Sequence, residues 1–212
     1  MSKRLFGVVL WLAAATLGHS QVQLAVHQGA NRVGTARFSQ KLLPEGGKLV
    51  QISMELEVGE RKARIRQETR YNARGEAVRV FQETVGDQPG TTRRIIADLS
   101  AEAADVVVEQ GGNRTTRRVP LAPGAPRENQ SEFWFVRDRP KPGDTAEFYS
   151  FELSTLEWRI RRIRYVRATQ ARLGDRPVPA HELSVEEGRV LLDEGGLPIR
   201  LEMGGLTLVR IP

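Results

Sequence analysis

Cysteine is absent from the 212 residues of this chain, and its absence excludes several classes of protein. Without cysteine there is no disulfide framework, no thiol nucleophile and no cysteine-ligated zinc site. The lipid-carrying cysteine that anchors bacterial lipoproteins is missing as well. We therefore predict a fold that is held together by noncovalent packing alone.

Residues that carry catalysis or bind metals are also few. The chain has three histidines, of which His27 and His181 follow the first twenty residues, and it has no G-x-S-x-G or phosphate-binding motif. Gly111-Gly112 and Gly195-Gly196 fit hairpin turns. We predict that the protein is not an enzyme and has no catalytic residue, bound metal or cofactor. A hydrolase of unrecognised type, with His181 beside a serine or a carboxylate, is the alternative.

Long hydrophobic runs are missing after residue 20, and the run before it is typical of an export signal. Lys3 and Arg4 precede the apolar run Leu5 to Leu17, and Gly18-His19-Ser20 supplies small residues before a cleavage point at Gln21. A membrane anchor is the alternative, but the run is shorter than the roughly 20 residues that span a bilayer. We predict export to the periplasm or the extracellular space, with no transmembrane segment in the mature chain.

A strong excess of one charge is missing from the mature chain. Removing the predicted signal peptide, residues 1–20, leaves 30 basic and 26 acidic residues, and their interleaving argues against nucleic-acid binding. Residues 21–212 fit a single β domain. Pro120 to Gln130 carries three prolines and predicts a long surface loop, with a domain boundary as the alternative.

The segment from Lys48 to Tyr71 predicts a β-hairpin almost residue by residue. Even positions from Val50 to Val58 are apolar and odd positions polar, the period of a strand with one buried face. Gly59-Glu60 fits a two-residue type II′ turn, which fixes the register. The predicted partners are Val58 with Arg61, Leu56 with Ala63, Met54 with Ile65, Glu57 with Lys62, and Glu55 with Arg64. Apolar pairs then share one face and opposite charges the other.

Further strands follow at short intervals. Pairing Tyr71 with Glu76 across the next turn places Glu68 opposite Arg79 and Arg64 opposite Glu83. Later predicted strands include 76–85, 91–99, 132–136, 145–153, 158–167 and 206–211. We predict an all-β protein, an antiparallel up-and-down meander of roughly eleven or twelve strands. It curls into a half-barrel or open barrel and has little helix after the signal peptide.

The inner face of the predicted sheet is not uniformly apolar. Gln67, Thr69, Gln82 and Thr84 fall on it, and polar groups cost free energy when they are buried without partners. A cleft or cavity beside these residues would supply hydrogen-bond partners, and we expect it to open near Gln67 and Thr69. The alternative is that these residues lie at strand ends and contact water there. The predicted ligand-binding residues that line the concave face are Met54, Ile65, Gln67, Val80 and Tyr149.

The run Arg159-Ile160-Arg161-Arg162-Ile163-Arg164-Tyr165 is the most basic stretch of the chain. Its β-branched and aromatic residues favour a strand, but Trp158 and Ile160 have the opposite parity from Ile163 and Tyr165. One extra residue near Arg161-Arg162 restores the alternation and predicts a β-bulge, with the arginines together on the outer face. We interpret them as a solvated face paired with acidic residues; a stripe that binds lipid headgroups, polysaccharide or nucleic acid is the alternative.

Three features carry a resemblance to a known group of proteins: the cleavable signal, the continuous meander, and two short motifs. The motifs are Lys141-Pro142-Gly143-Asp144 followed by Phe148-Tyr149-Ser150-Phe151, and the closing segment Gly195-Gly196-Leu197-Pro198-Ile199-Arg200-Leu201-Glu202. The chain resembles uncharacterised bacterial envelope proteins allied to the LolA/LolB-like lipoprotein carriers. The resemblance implies a curved sheet whose concave face holds an acyl chain or another apolar ligand. This chain lacks the carriers' helices and the anchoring cysteine of the lipid-anchored members, and no family site residue carries over.

These observations predict two alternative non-catalytic functions. The first is an exported, non-catalytic β-protein that binds a hydrophobic or lipid-like ligand in the concave face of its sheet. The second is a structural or interaction module of the cell envelope with an envelope protein as its partner. A pocket lined by the predicted residues distinguishes the first function from the second.

Overall fold

The alternation that predicts strands from the sequence continues through most of the chain, and the structure has fourteen strands. The computed structural model describes residues 19–88, 90–122, 134–186 and 188–212. The strands are β1 His19–Gln28, β2 Asn31–Leu42, β3 Lys48–Val58, β4 Arg61–Tyr71, β5 Ala77–Gly86, β6 Arg93–Leu99, β7 Ala103–Gln110, β8 Asn113–Pro120, β9 Thr145–Glu152, β10 Glu157–Leu173, β11 Arg176–Val185, β12 Gly188–Asp193, β13 Pro198–Met203 and β14 Leu206–Arg210. A single helix, α1 Trp134–Asp138, completes the described elements.

All fourteen strands form one antiparallel sheet in which nearly every strand pairs with the next in sequence. The exception is β8, which does not pair with β9; β1 pairs with β2 and also with β14, so that Leu24 faces Arg210. The two edges of the sheet are β8 and β9, and no pairing of described residues joins them. The prediction of an all-β antiparallel meander that is not closed into a barrel is confirmed, with more strands than expected and almost no helix.

The β3–β4 hairpin has the predicted register. All five predicted pairs occur, including Met54 with Ile65 and Glu55 with Arg64. Gly59 has a φ of 63°, the positive value that the first turn position requires. The Glu55 carboxylate and the Arg64 guanidinium lie 3.4 Å apart on the exposed face.

The register between β4 and β5 differs from the prediction by two residues. Glu68 faces Phe81, and Arg66, not Arg64, faces Glu83. The cause is the turn after Tyr71, where the Asn72 side chain accepts hydrogen bonds from two later backbone N–H groups and a bulge shifts the pairing. A shift of two leaves each residue on its predicted face, because side chains alternate with a period of two.

Residues 132–136 were predicted as a strand, and this prediction is wrong for the described part. From Trp134 the chain forms α1, whereas residues 132 and 133 lie outside the described residues. Trp134 and Phe135 are buried in the main core. Strand propensity largely reflects burial against neighbouring side chains, and here the helix achieves that burial.

Strand β9 is an edge strand that is nevertheless buried on both faces. Phe148 packs into the main core with residues of β1–β4 and β10–β14. Phe151, which is fully buried, packs instead into a second cluster with Val80 of β5, Ile95 of β6 and residues of β7 and β8. Opposite faces of β9 thus contact different parts of the same sheet, so the β5–β8 end of the sheet lies over the β9–β10 end.

A hydrogen bond joins the overlapping ends, and a ring contact within the β9–β10 pair lies beside it. The indole Nε1 of Trp158 on β10 donates to the backbone oxygen of Val119 on β8, at 3.1 Å. The rings of Phe151 and Trp158 meet edge to face, with their centroids 5.3 Å apart. The two ends are therefore held by side chains where no strand pairing connects them.

The predicted β-bulge near Arg161-Arg162 is wrong in position. The β9–β10 register runs without interruption from Glu157 to Arg164, and the bulge in β10 lies between Tyr165 and Arg167. Trp158 and Ile163 can lie on opposite faces because both faces of this strand are covered by apolar residues, the first by the overlapping end and the second by the main core.

The arginines of β10 are likewise not all on one face. Arg162 pairs with Glu147 on the exposed face, which agrees with a solvated and paired surface. Arg161 lies on the face of Ile163 and is largely buried, where Glu152 and Glu186 both bind its guanidinium. Two carboxylates thus allow an arginine at a position where the alternation predicts an apolar side chain.

Two sequence predictions fall mainly outside the described residues. Of the predicted signal peptide, only His19 and Ser20 are described, as the first residues of β1. Of the predicted loop from Pro120 to Gln130, residues 123–130 are not described. The signal peptide and the single-domain organisation stay predictions.

Candidate functional site

The strand register arranges the inner face of β3–β6 in rows. One row consists of Met54, Ile65, Thr84 and Arg93. The next row consists of Ile52, Gln67, Gln82 and Ile95. Only Thr84 and Arg93 of these eight side chains are partly exposed; the others are buried. The first row therefore marks the limit of the buried interior.

Four of the five predicted ligand-binding residues lie on this face. Met54 and Ile65 face each other within the main core. Gln67 lies in the next row, and Val80 lies opposite Thr69 in the row beyond. The structure brings these four together as neighbours, all of them buried.

Tyr149, the fifth predicted residue, lies on the other side of the overlap. It is half-buried on β9 and alternates with Phe148, so it shares the strand face of Phe151 rather than that of the main core. Since Phe151 packs with Val80, the Tyr149 face of β9 is turned toward β5–β8. Contact of these five residues with a ligand stays a prediction.

The polar residues of the inner face are buried rather than placed at water-filled strand ends. Gln67 and Gln82 are directly opposite each other, with 5% and 7% of their surface exposed, and Thr69 is equally buried. Gln82 donates a long hydrogen bond of 3.3 Å to the hydroxyl of Thr84. A buried polar strip thus crosses β4 and β5.

Arg93 is the residue of this face that the sequence analysis missed. It has the parity of Ile95 and Ala97, which are buried on the inner face, whereas its neighbour Arg94 points outward to Glu83. The Nε atom of Arg93 is buried without a hydrogen-bond partner, and no described carboxylate forms an ion pair with it. An arginine at an inward position of a predicted strand is the signal that could have identified it.

A groove of about 830 Å³ opens where the rows end, beside the β3–β4 turn. Its apolar lining includes Val33, Leu56, Ala63 and Val85, and its rim carries charged residues of the exposed face. Leu56 and Ala63 face each other one row beyond Met54 and Ile65. The groove therefore adjoins the inner face at the row that contains Arg93.

The rim charges of the groove are mostly neutralised in pairs. Lys62 lies 3.4 Å from Glu57, and Arg64 lies 3.4 Å from Glu55. These pairs are well exposed, so each contributes little to stability. They leave the apolar floor accessible between them.

The opening expected near Gln67 and Thr69 is not where the larger groove lies. At that end of β4 there is a smaller pocket of about 320 Å³, lined by Tyr71 and by charged side chains such as Arg70, Arg79 and Asp98. The larger groove lies at the opposite end of the strand, and none of the five predicted residues lines it.

Known structures with the same arrangement were found by comparison. A β-barrel-like protein of the domain of unknown function DUF1849 from Brucella abortus superposes with a TM-score of 0.59 over 93% of this chain and 96% of that chain, with 11% sequence identity. This chain has a β-barrel-like fold. At such low identity the similarity shows the fold alone.

Other comparisons add little. A DUF1089 family protein from Pseudomonas aeruginosa aligns over 91% of this chain and 92% of its own, with 15% identity and a TM-score of 0.40. No protein-family model matches the sequence, and no match was found among curated proteins. The comparisons show no link to the lipoprotein carriers.

His181 lies in an aromatic setting on the inner face of β11. Its Nδ1 atom forms a 3.0 Å hydrogen bond with the hydroxyl of Tyr165, and the ring of Phe135 from α1 lies 6.1 Å away, centroid to centroid. Burial raises the pKa of the Tyr165 hydroxyl. The serine or carboxylate partner that the hydrolase alternative requires is not found among the described contacts of His181, so nothing supports that alternative.

Two further findings concern the described residues only. They contain no group of three histidine, aspartate or glutamate side chains placed to hold a metal ion. None of their helices is long and apolar enough to cross a membrane.

Proposed function

We propose that this protein is exported and non-catalytic, and that it binds an apolar or lipid-like ligand through the groove beside the β3–β4 turn. One observation carries the proposal. An apolar floor of Val33, Leu56 and Ala63 lies open at the end of an inner face that is otherwise buried, and Val33 and Leu56 pack against the main core. Ligand sites are typically concave, mostly apolar and supplied with a few polar groups.

The shape of the sheet supports the same function. The sheet overlaps itself without pairing its two edge strands, and the groove at the end of the β3–β4 hairpin is open to solvent. This is the activity that the resemblance to LolA/LolB-like carriers implies, and kinship with them is part of the proposal.

Native mass spectrometry of protein purified from its own host tests the proposal directly. We expect a fraction of the protein to carry an adduct with the mass of a lipid. We also expect the neutral apolar dye N-phenyl-1-naphthylamine to gain fluorescence when it is added to the purified protein. A bare protein mass together with an unchanged dye signal would refute ligand binding.

Matched variants locate the site. Leu56→Gln places a polar group on the groove floor, and we expect weaker dye binding. Val58→Gln makes the same kind of change two residues along β3, at a side chain that is 38% exposed and does not line the groove. Equal effects of the two variants on dye affinity would place the ligand elsewhere.

One observation favours a second candidate function, an interaction module of the cell envelope. Strand β8 is an edge of the sheet and is exposed at every position except Val119. An exposed edge strand is a template for pairing with another chain. Light scattering with and without envelope extract from the host tests this function; an unchanged monomer mass in both would oppose it.

A further inference from the structure

Arg93 has no obvious structural role on the inner face of β6. Charged side chains on a buried face are normally paired, because removing an unpaired charge from water is costly. Arg161 shows how this protein meets that need elsewhere, with two carboxylates on one guanidinium. Arg93, which is partly exposed, has no such carboxylate partner in the part of the chain that the structure describes. Its Nε is buried without a hydrogen-bond partner, as the Nε of Arg161 is too, so the missing carboxylates are what distinguish Arg93.

The groups that face Arg93 from neighbouring strands are neutral. Thr84 lies directly opposite on β5 and Gln110 directly opposite on β7. The acidic residues next to these positions, Glu83 and Glu109, belong to the outer face, where they lie near Arg94 and Arg114. The inner side of this row therefore has a positive charge, hydroxyl and amide groups, and no described carboxylate.

The position of Arg93 relates it to the groove. Gly86 lines the groove and lies two residues from Thr84, the partner of Arg93, which is about 7 Å along a strand. Arg93 lies on the neighbouring strand, about 4.8 Å across, so it is roughly 8–9 Å from Gly86. Neither Arg93 nor Thr84 lines the groove itself, but an extended arginine side chain spans most of that distance. A ligand whose apolar part lies against Leu56 and Ala63 can thus bring a polar end to the guanidinium.

We propose that the ligand is an anionic amphiphile, whose carboxylate or phosphate group binds Arg93 at the end of the groove while its apolar chain lies on the groove floor. This inference rests on the proposed function and names its ligand class. Guanidinium groups bind carboxylate and phosphate through paired, charge-assisted hydrogen bonds, which are stronger than neutral ones. The partly exposed guanidinium of Arg93, rather than its buried Nε, and the adjacent Thr84 hydroxyl supply the donors.

Competition against the neutral dye tests the proposal with three ligands of equal chain length. Dodecanoate, dodecyl phosphate and uncharged dodecanol displace the dye from the purified protein at a pH where both acids are ionised. We expect at least one of the anions to bind about tenfold or more tightly than dodecanol. A stronger effect of dodecyl phosphate indicates a phospholipid-like headgroup, and a stronger effect of dodecanoate a fatty acid.

Three variants assign the preference to one side chain. Arg93→Gln is expected to bind the anion and dodecanol equally, Arg93→Lys to recover part of the preference, and Arg94→Gln, the outward-facing control, to keep all of it. Thermal unfolding without ligand is expected to show Arg93→Gln at least as stable as the original chain, since no described ion pair is broken.

The outcomes separate the two proposals. If the dye and dodecanol do not bind at all, the proposed function fails and this inference fails with it. If dodecanol binds but no anion is preferred, or if Arg93→Gln keeps the preference, the groove binds apolar ligands and the assignment of Arg93 is wrong. A large loss of thermal stability in Arg93→Gln would show instead that the residue is structural.

Discussion

Replacing Phe151 with alanine tests the overlap of the two sheet ends. Phe151 is fully buried against β5–β8, although the face of β9 that carries it points away from the main core. Phenylalanine to alanine in a core costs about 3–5 kcal/mol, from lost transfer free energy and the cavity left behind. We expect Phe151→Ala to lower the free energy of unfolding by about 4 kcal/mol.

Ile160→Ala is the matched control. Ile160 lies opposite Tyr149, on the same face of the β9–β10 pair as Phe151, but it is 56% exposed and thus outside the overlap. Substitutions at such surface positions change stability by about 0.5 kcal/mol or less. If the sheet did not overlap itself, both side chains would face solvent and both variants would be nearly neutral.

Urea unfolding followed by tryptophan fluorescence measures the difference. With an m-value of about 2 kcal/mol/M, Phe151→Ala lowers the midpoint by about 2 M while Ile160→Ala leaves it unchanged. If Phe151→Ala does not fold, Phe151→Leu can be measured instead, and we expect it to lower the free energy of unfolding by about 1 kcal/mol. Equal midpoints for the Phe151 and Ile160 variants would refute the overlap.

Two further predictions concern a glycine and a tyrosine. Gly34→Ala is expected to lower the free energy of unfolding in urea by about 3 kcal/mol, because its Cβ would lie 2.0 Å from the Glu55 backbone oxygen. Gly29→Ala is expected to lower it by only about 1 kcal/mol, because Gly29 has a φ of 60° but open space around it. A larger loss for Gly29→Ala than for Gly34→Ala would contradict the described β2–β3 pairing. Because burial raises the pKa of Tyr165, the unfolded chain loses this proton first. The contribution of Tyr165 to stability is therefore fully present below the unfolded-state pKa of about 10 and is lost as pH rises through the folded-state pKa. Absorbance of the phenolate and unfolding curves in alkaline buffers check this, and a fall of equal slope in Tyr165→Phe would disprove the assignment.

Local patterns predicted those parts of the fold in which one face of a strand is buried. The Gly59 hairpin was correct to the residue because a two-residue turn, an apolar face and a charged face all agree on one register. After Tyr71 the turn is longer, Asn72 organises it, and the register moved by two. Short-range patterns contain no information on such a shift, since it preserves the face of each side chain.

The errors in β9 and β10 have a different origin. Trp158 and Ile163 have opposite parity, and a single-layer sheet explains that only by a bulge. In the structure, distant parts of the sheet cover both faces of β10, so the two apolar side chains can have opposite parity without a bulge between them. The pairing of β1 with β14 and the contact of Trp158 with Val119 join residues far apart in sequence, so no local periodicity predicts them.

The candidate site was predicted in part for the same reason. Met54, Ile65, Gln67 and Val80 were placed on the inner face because alternation determines the face of a side chain. Arg93 was overlooked because charged residues were assumed to lie outside. The opening was expected near Gln67 and Thr69, where a smaller pocket lies, whereas the larger groove is at the other end of β4. The depth of burial along a strand depends on how the sheet curves, which alternation does not report.

The position of β1 and β14 at the centre of the sheet affects how the chain can be made. Most of the sheet can pair as the chain is synthesised, yet its two halves are joined by the pairing of β1 with β14, which are far apart in sequence. Such pairing between distant segments is slow to form. Removal of β14 would leave β1 and β13 as two new unpaired edges, and unpaired edges are templates for pairing with other chains.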